Sequence, residues 1–270
     1  MRLFRANLGK LRRRPASWVT FLLLVGLLAL LVFFIVVATR QINDPQTALG
    51  ARQFVTFPAA YELVLQLVLS LGGLLAVTYG AAIAGSEWTW GTLKAAVARG
   101  ESRVLYTAAG YAGVAFCTWI GVVGAFLAGV AVTVLAALVV GAPLDGMTDV
   151  EALSRMPELF ARAFLAVSMN AALGFAIATV ARSQIAGIGV GIGVFFLEGV
   201  ASVFLPEVLK WFPFAAAGAV ASGTFGQGAA ISSGLGTRLD PDVAIPVVLA
   251  WLIGSVAVAC LWTERAEING

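Results

Sequence analysis

The sequence predicts an all-α integral membrane protein with six membrane-spanning helices. Of its 270 residues, 60% are hydrophobic and 11% are charged, whereas soluble domains carry about 25% charged residues. Six segments reach the length of about 20 mostly apolar residues that a spanning helix needs. They are Trp18–Thr39, Leu63–Gly85, Val104–Gly141, Ala163–Ala181, Gln184–Leu205 and Val243–Thr263. The rest of the chain is too short for another folded domain, so we expect one membrane domain over residues 1–270.

Residues 1–15 precede the first span and predict an amphipathic helix at the membrane surface. Phe4, Leu8 and Leu11 recur at helical spacing, arginines occupy the other faces, and Pro15 ends the pattern. This arrangement is typical of a helix on anionic headgroups, which makes membrane lipid an expected partner. A disordered basic anchor is the alternative. The apolar run that follows exceeds the 7 to 15 residues of a signal-peptide core, so we expect it to be retained.

The distribution of basic residues predicts that both termini are cytoplasmic. Of the 17 lysines and arginines, eleven fall in the segments expected inside, and six lie in outer segments or spans that carry ten acidic residues. Such a bias sets orientation in the membrane. We therefore expect a multi-pass protein of the cell inner membrane. The eleven are Arg2, Arg5, Lys10, Arg12, Arg13, Arg14, Lys94, Arg99, Arg103, Arg182 and Arg265.

The third span is unusually long. The stretch Val104–Leu144 contains no charged residue and is about twice the minimum spanning length. Gly121, Gly124 and Gly129 lie inside it, so one long tilted helix and a helical hairpin are both possible. A hairpin would leave the C-terminus outside and turn the acidic loop at 143–158 inward, against the charge bias. The sequence favours one helix.

Between the second and third spans lies an amphipathic basic stretch, SEWTWGTLKAAVARGESR, which we call the 86–103 segment. Trp90, Leu93 and Val97 fall on one helical stripe. Gly100 suits a left-handed C-terminal cap, and Ser102 suits the N-cap of the next span. The pattern predicts a helix, a tight turn and a second helix. Periodicity alone does not distinguish a linker from a docking surface.

The order of residue types in this segment resembles the first cytoplasmic loop of permease subunits in the type-2 ABC exporter family. The pattern is a glutamate, an aromatic residue, Gly-Thr-Leu, a basic residue and then Arg-Gly-x-Ser-Arg. The matching positions are Glu87, Trp88, Trp90, Gly91, Thr92, Leu93, Lys94, Arg99, Gly100, Ser102 and Arg103. The layout of a basic N-terminal helix, six spans and an extended third span is also similar.

The resemblance implies a function and a set of partners. In that family the loop is a coupling helix that docks on a separate ATP-binding subunit, and two permease subunits pair to form the translocation path of an exporter. It implies a second copy of this chain or a paralogue as partner, and a re-entrant outer segment over residues 206–242. Many relatives carry a lysine where Gly110 and Tyr111 stand here, so the transported substrate stays open.

Missing residue types limit the chemistry of the chain. There is no histidine, which excludes His-based proton relays, hydrolase triads and His metal sites. There is also no Gly-x-x-x-x-Gly-Lys-Ser/Thr phosphate loop. We therefore expect no catalytic residue, metal site or cofactor in this chain, with ATP and magnesium on the partner subunit. The basic residues are distributed according to the side of the membrane and do not gather into a nucleic-acid-binding patch, so no nucleic-acid partner is expected.

Two polar residues inside spans are candidates for the translocation path. Glu198 lies in an apolar run, where an ionised carboxylate costs at least a few kcal/mol unless it is paired or hydrated. It has either a pathway role or a structural role near the outer interface. Asn170 can form hydrogen bonds between helices. Glu198 and Glu62 also allow an alternative function, an ion-coupled or proton-coupled carrier or channel, and a non-transporting scaffold is the third possibility.

Overall fold

The computed structural model describes residues 7–11, 14–41, 50, 52, 54–222 and 239–266, and regular secondary structure in these residues is helical. Six helices are long and apolar enough to cross a membrane, which confirms the predicted multi-pass architecture. They are α1 (Pro15–Gln41), α2 (Ala59–Thr89), α4 (Arg103–Val140), α5 (Val150–Ala181), α6 (Gln184–Ala201) and α9 (Pro241–Arg265). The shorter helices are α3 (Thr92–Ala98), α7 (Pro206–Leu209) and α8 (Pro213–Ser222), with a 3-10 turn at Asp145–Thr148.

The long helices alternate in direction. At the start of α4, Arg103 donates a hydrogen bond to the carbonyl oxygen of Ala266, just after α9 ends, at 2.8 Å. The guanidinium of Arg182, just after α5, lies 5.2 Å from the ring centre of Trp88 near the end of α2. The 86–103 segment, the α5–α6 connection and the end of α9 therefore lie together at one end of the bundle.

Helices α2 and α5 form the centre of the bundle and pack closely along their length. A Cβ atom on Gly80 of α2 would collide with the carbonyl oxygen of Ala171 in α5. A Cβ on Gly174 of α5 would collide with the carbonyl oxygen of Val77 in α2. Small residues allow the two backbones to approach this closely. Van der Waals packing then stabilises the helix pair, because no hydrophobic driving force acts between helices in lipid.

The glycines of α6 divide between two faces. Gly187 lies against Ala178 of α5, and Gly191 lies against Val77 of α2, so this face packs within the chain. A Cβ on Gly189 would have no neighbour within 4 Å. Gly187 and Gly191, four residues apart on one face of α6, therefore make close contacts within the chain.

The third span is one continuous helix, so the hairpin alternative is wrong. Helix α4 has 38 residues and is about 57 Å long at 1.5 Å per residue, well beyond the thickness of a hydrocarbon core. Gly124 and Gly129 do not break it, because they give room to Phe21 of α1 and Val64 of α2. The helix ends at Gly141, which has a φ of +70°.

Two predicted span boundaries are wrong. The fourth span was expected at Ala163–Ala181, but α5 begins at Val150, where the side chain of Asp149 caps the helix. Ion pairs at i,i+4 spacing, such as Arg155 with Glu151 at 2.5 Å, stabilise these polar first turns. The fifth span ends at Ala201, where turns replace the predicted continuation.

The N-terminal segment packs onto the bundle. Residues 7–11 are helical, with Asn7 and Leu11 buried. Pro15 opens α1 as its first residue, a position that suits proline because its missing N–H needs no helical partner. Phe4, with residues 1–6 and 12–13, lies outside the described residues, so the amphipathic interface helix over residues 1–15 stays a prediction.

Close packing at Gly174 should make the protein sensitive to one added methyl group. We expect Gly174→Ala to lower the free energy of unfolding by about 1–3 kcal/mol, because the new Cβ collides with the backbone of α2. Gly254→Ala is the control, since its Cβ meets nothing within 4 Å. Thermal unfolding in detergent would measure both. Equal melting temperatures for the two variants would contradict the close approach of α2 and α5.

Candidate functional site

The 86–103 segment is built from the end of one long helix and one short helix. Helix α2 continues through Thr89, so the first four residues of the segment belong to the second span. Gly91 adopts a φ of +64°, a left-handed conformation that turns the chain into α3. Gly100 has a φ of +83° after α3, and the side chain of Ser102 accepts from Leu105 N at 3.5 Å. The predicted roles of Gly100 and Ser102 are confirmed.

The predicted apolar stripe of Trp90, Leu93 and Val97 is wrong at its first member. Trp90 precedes the Gly91 turn, and its side chain is 62% exposed. Leu93 and Ala96 instead form the buried face of α3. The turn at Gly91 changes which residues face the bundle, so a continuous 3.6-residue period drawn across the turn places Trp90 on the wrong face.

Glu87 lies at the centre of a polar cluster that joins four parts of the chain. Lys10 Nζ donates to both carboxylate oxygens at 2.7 and 2.8 Å, and Arg14 Nη2 donates to Oε1 at 2.7 Å. Thr92 of α3 and Tyr106 of α4 donate to Oε2 at 2.5 and 2.6 Å. We call these five residues the Glu87 cluster. The carboxylate links the N-terminal segment, α2, α3 and α4.

Arg14 makes further contacts from the same position. Its Nη1 donates to the hydroxyl of Ser86 at 2.5 Å, and its guanidinium lies 5.0 Å from the ring centre of Trp90. Only 7% of its side chain is exposed, against 16% for Glu87. The contacts therefore combine an ion pair, a charge-assisted hydrogen bond and a cation–π interaction in a poorly hydrated place.

The free-energy cost of breaking the Glu87 cluster depends on how deeply its charged groups are buried. Two cations face one carboxylate, and removing the carboxylate would leave a buried guanidinium without its counter-ion. Breaking such a pair typically costs about 3–5 kcal/mol. Because Arg14 and Glu87 come from distant parts of the chain, the cluster fixes the N-terminal segment on the end of α2.

The outer surface of the 86–103 segment is basic and carries one exposed indole. Trp90, Lys94 and Arg99 are exposed there, as are Thr89, Ala95, Ala98 and Gly100. Tryptophan and arginine are the residues most often found at the centres of protein interfaces. The segment thus presents a rigid basic surface at the end of the bundle where several long helices end.

The two predicted pathway candidates take part in separate structural contacts. Glu198, on α6, is 4% exposed, and its carboxylate accepts from the backbone N–H groups of Ala215 at 2.5 Å and Phe214 at 3.4 Å. These are N–H groups of the first turn of α8, which otherwise lack helical partners, and the helix dipole favours the negative charge there. The contacts support the structural interpretation of Glu198.

Asn170 lies in α5 at the closest approach to α2. Its Nδ2 would be 2.8 Å from a Cβ added to Gly73, and its buried Oδ1 has no hydrogen-bond partner among the described residues. Asn170 and Glu198 are not part of the Glu87 cluster. The described residues also contain no group of three His, Cys, Asp or Glu side chains that could hold a metal ion.

The roles of Lys10, Arg14 and Tyr106 were missed from the sequence. The N-terminal segment was interpreted as a helix on lipid headgroups, and Tyr106 was not singled out. One signal was present: a lone glutamate ends the apolar second span and needs a cation, and the N-terminal segment holds the nearest excess of cations expected on that side.

The cluster should tolerate loss of the Glu87 charge poorly. We expect Glu87→Gln to lower the free energy of unfolding by about 3 kcal/mol, because Arg14 would keep its burial and lose its counter-ion. Glu101→Gln makes the same chemical change in the same segment outside the cluster and should stay within about 0.5 kcal/mol. Thermal unfolding of purified protein would test this. Equal stabilities would contradict the anchoring role of Glu87.

Comparison with known proteins supports one family assignment. The family model described as "Protein of unknown function (DUF2705)" matches residues 47–263, which include the 86–103 segment, α2, α4, α5 and α6, and α9 as far as Thr263. No curated protein matches the chain significantly. Because the match covers most of the 270 residues, the chain belongs to the DUF2705 family.

Proposed function

We propose that this protein is the membrane-spanning subunit of an ATP-driven exporter of the type-2 ABC class. It forms the translocation path as a dimer, with a second copy or a paralogue, and it couples to separate ATP-binding subunits through the 86–103 segment. The observation that carries the proposal is the Glu87 cluster, because it ties an exposed basic segment rigidly to the ends of two spans.

The contacts favour transmission of force over a simple linker. A flexible linker would need no buried ion pair, whereas here the carboxylate on α2 receives hydrogen bonds from Thr92 of α3 and Tyr106 of α4. Arg103 adds a link from α4 to the end of α9. A push on α3 is therefore delivered to α2, α4 and α9 together.

The proposed mechanism follows from this connection. ATP-driven closure of the partner subunits moves the two 86–103 segments, and the attached spans re-pack between inward-facing and outward-facing arrangements. Trp90, Lys94 and Arg99 provide the docking surface, while Glu87 and Thr92 keep that surface attached to the spans. The substrate passes between helices, and the chemistry of ATP stays on the partner.

Glu198 weakens the alternative of an ion-coupled or proton-coupled carrier. Such a carrier needs an intramembrane carboxylate that is available to the transported ion. The carboxylate of Glu198 is already engaged with two backbone N–H groups at the start of α8. We interpret Glu198 as a cap that holds α8 in the outer segment, which is proposed to be re-entrant over residues 206–242; residues 223–238 lie outside the described residues.

Trp90 offers a test of docking because its ring is mostly exposed, and thermal unfolding of the variant checks that loss of the ring's contact with Arg14 leaves the protein folded. With the ATP-binding protein encoded beside this chain, we expect Trp90→Ala to weaken association by about 2 kcal/mol, roughly 30-fold in Kd. The ATPase activity of the complex in nanodiscs should fall with it. Trp262→Ala removes another exposed indole, near the end of α9, and should leave both unchanged.

Two outcomes would contradict different parts of this proposal. Association and ATPase activity equal to wild type in Trp90→Ala would reject the docking surface. Failure of the wild-type chain to associate with any ATP-binding protein would reject the exporter function itself and favour a carrier or scaffold.

The proposed orientation places both termini and the 86–103 segment in the cytoplasm of a cell with this protein in its inner membrane. In a Cys117→Ser, Cys260→Ser background, we expect a membrane-impermeant maleimide to label Asp145→Cys on intact cells. Arg99→Cys should react only after the membrane is permeabilised, because both positions are exposed but lie at opposite ends of α4. Labelling of Arg99→Cys from outside would overturn the orientation.

A further inference from the structure

A large apolar hollow lies between the first three spans and begins beside the Glu87 cluster, since the backbone N–H of Ser17 donates to the carbonyl oxygen of Arg14 at 3.2 Å. It has a volume of about 550 Å³ and is lined from α1, α2 and α4, with one residue of α5. We call it the α1–α4 crevice and define it by Ser17, Phe21, Leu24, Gly72, Tyr79 and Gly121. Its volume falls within the range of about 300–1,000 Å³ that is typical of small-molecule sites.

The walls of the crevice are mainly apolar, and the hydroxyl of Thr118 is the one buried polar side-chain atom of the lining without a hydrogen-bond partner among the described residues. Most of the lining is aliphatic or aromatic. The hydroxyls of Ser17 and Tyr79 bond to each other at 3.0 Å, and Ser17 also donates to the carbonyl oxygen of Leu11 at 2.9 Å. Apolar hollows bind apolar molecules, because the atoms that line an empty hollow lack dispersion contacts on one side.

The position of the crevice identifies the apolar molecule that can reach it. Trp18 and Ile120 at its rim are exposed on the outside of the bundle, within helices that are able to cross a membrane. At this depth the surrounding medium is the acyl chains of the bilayer.

The crevice also has a defined depth. On α1 it starts at Ser17, two residues after the helix begins, and extends to Leu24, about 10 Å further along the axis. Along α1 it therefore lies in the half nearer the 86–103 segment, whereas on α4 its lining residues, from Phe116 to Gly124, span the middle of the helix. Lipids of the leaflet on the side of the 86–103 segment reach it through the opening beside the start of α1.

We propose that the α1–α4 crevice binds one acyl chain of a phospholipid from the leaflet on the side of the 86–103 segment. The chain fills the hollow between Phe21, Tyr79 and Gly121, and the headgroup stays at the membrane surface near the start of α1. This inference goes beyond the proposed exporter function and does not depend on it.

Gly121 permits a test that fills the crevice without disturbing the helices. A Cβ there meets nothing within 4 Å, and the same is true of Gly26, which lies on α1 outside the crevice. Gly121→Trp and Gly121→Leu therefore fill the space, and Gly26→Trp and Gly26→Leu are matched controls. All four are compared with wild type by thermal unfolding to verify that they fold.

The full-length protein in nanodiscs would be irradiated with a phosphatidylglycerol that carries a diazirine in its acyl chain, and the labelled residues mapped by mass spectrometry. We expect labels on crevice residues of α1, α2 and α4, reduced about tenfold by either Gly121 variant and unchanged by either Gly26 variant. Wild-type protein should also retain about one phospholipid after washing in detergent.

Three results would overturn the proposal. The first is crevice labelling that is equal in the Gly121 and Gly26 variants. The second is wild-type labelling in the crevice that is no stronger than on the exposed residues of α9. The third is retention of a free fatty acid or another apolar molecule in place of phospholipid. The readouts need no ATP-binding partner, so failure of the exporter proposal would leave the result of this test interpretable.

Discussion

The ion pair between Glu87 and Arg14 is the constraint on which the arrangement at one end of the bundle depends. Neither charge is well hydrated, so each needs the other at 2.7 Å. The pair fixes the start of α1 on the end of α2. Thr92 and Tyr106 donate hydrogen bonds to the same carboxylate, which fixes the positions of α3 and α4 relative to the end of α2. Without this pair, α3 would be a short helix held mainly by Leu93 and Ala96.

Packing at the centre of the bundle follows a different rule. Helices α2 and α5 approach until backbone touches backbone at Gly80 and Gly174. In lipid, contact area and shape replace hydrophobic transfer as the source of helix association. The α2–α5 pair is the most closely packed pair of helices among the described residues, and α1, α6 and α9 lie around it with most of their surface facing outward. Glu87 lies at the end of this pair, on α2.

The sequence predicts the spans well and the contacts between them poorly. Long apolar runs identify six helices because the bilayer imposes a length on each, and the absence of charge correctly favours a single helix for α4. The caps at Gly100 and Ser102 depend only on local geometry and were predictable. The start of α5 at Val150 was not, since polar turns continue a helix beyond the membrane without an apolar signal.

The residues of the candidate site were predicted unevenly for the same physical reason. The 86–103 segment has a local pattern, so its position was predictable. The two cationic partners of Glu87 lie 73 and 77 positions earlier in the chain, and the sequence indicates that the carboxylate needs a cation without identifying Lys10 and Arg14. Glu198 was correctly identified as unusual, but its partner is the backbone of α8, which has no side-chain signature.

The Glu87 cluster and the α1–α4 crevice share one structural element, the stretch from residue 7 to Leu24. Lys10 and Arg14 hold it to α2, while Leu8 and Ser17 on the same stretch line the crevice. Further along α1, Leu24, Leu28 and Val32 are buried against the bundle and hold the rest of the helix in place. The residues that pair with Glu87 and the residues that line the crevice therefore belong to one continuous stretch of chain, so the proposed docking surface and the proposed lipid site meet at the start of α1.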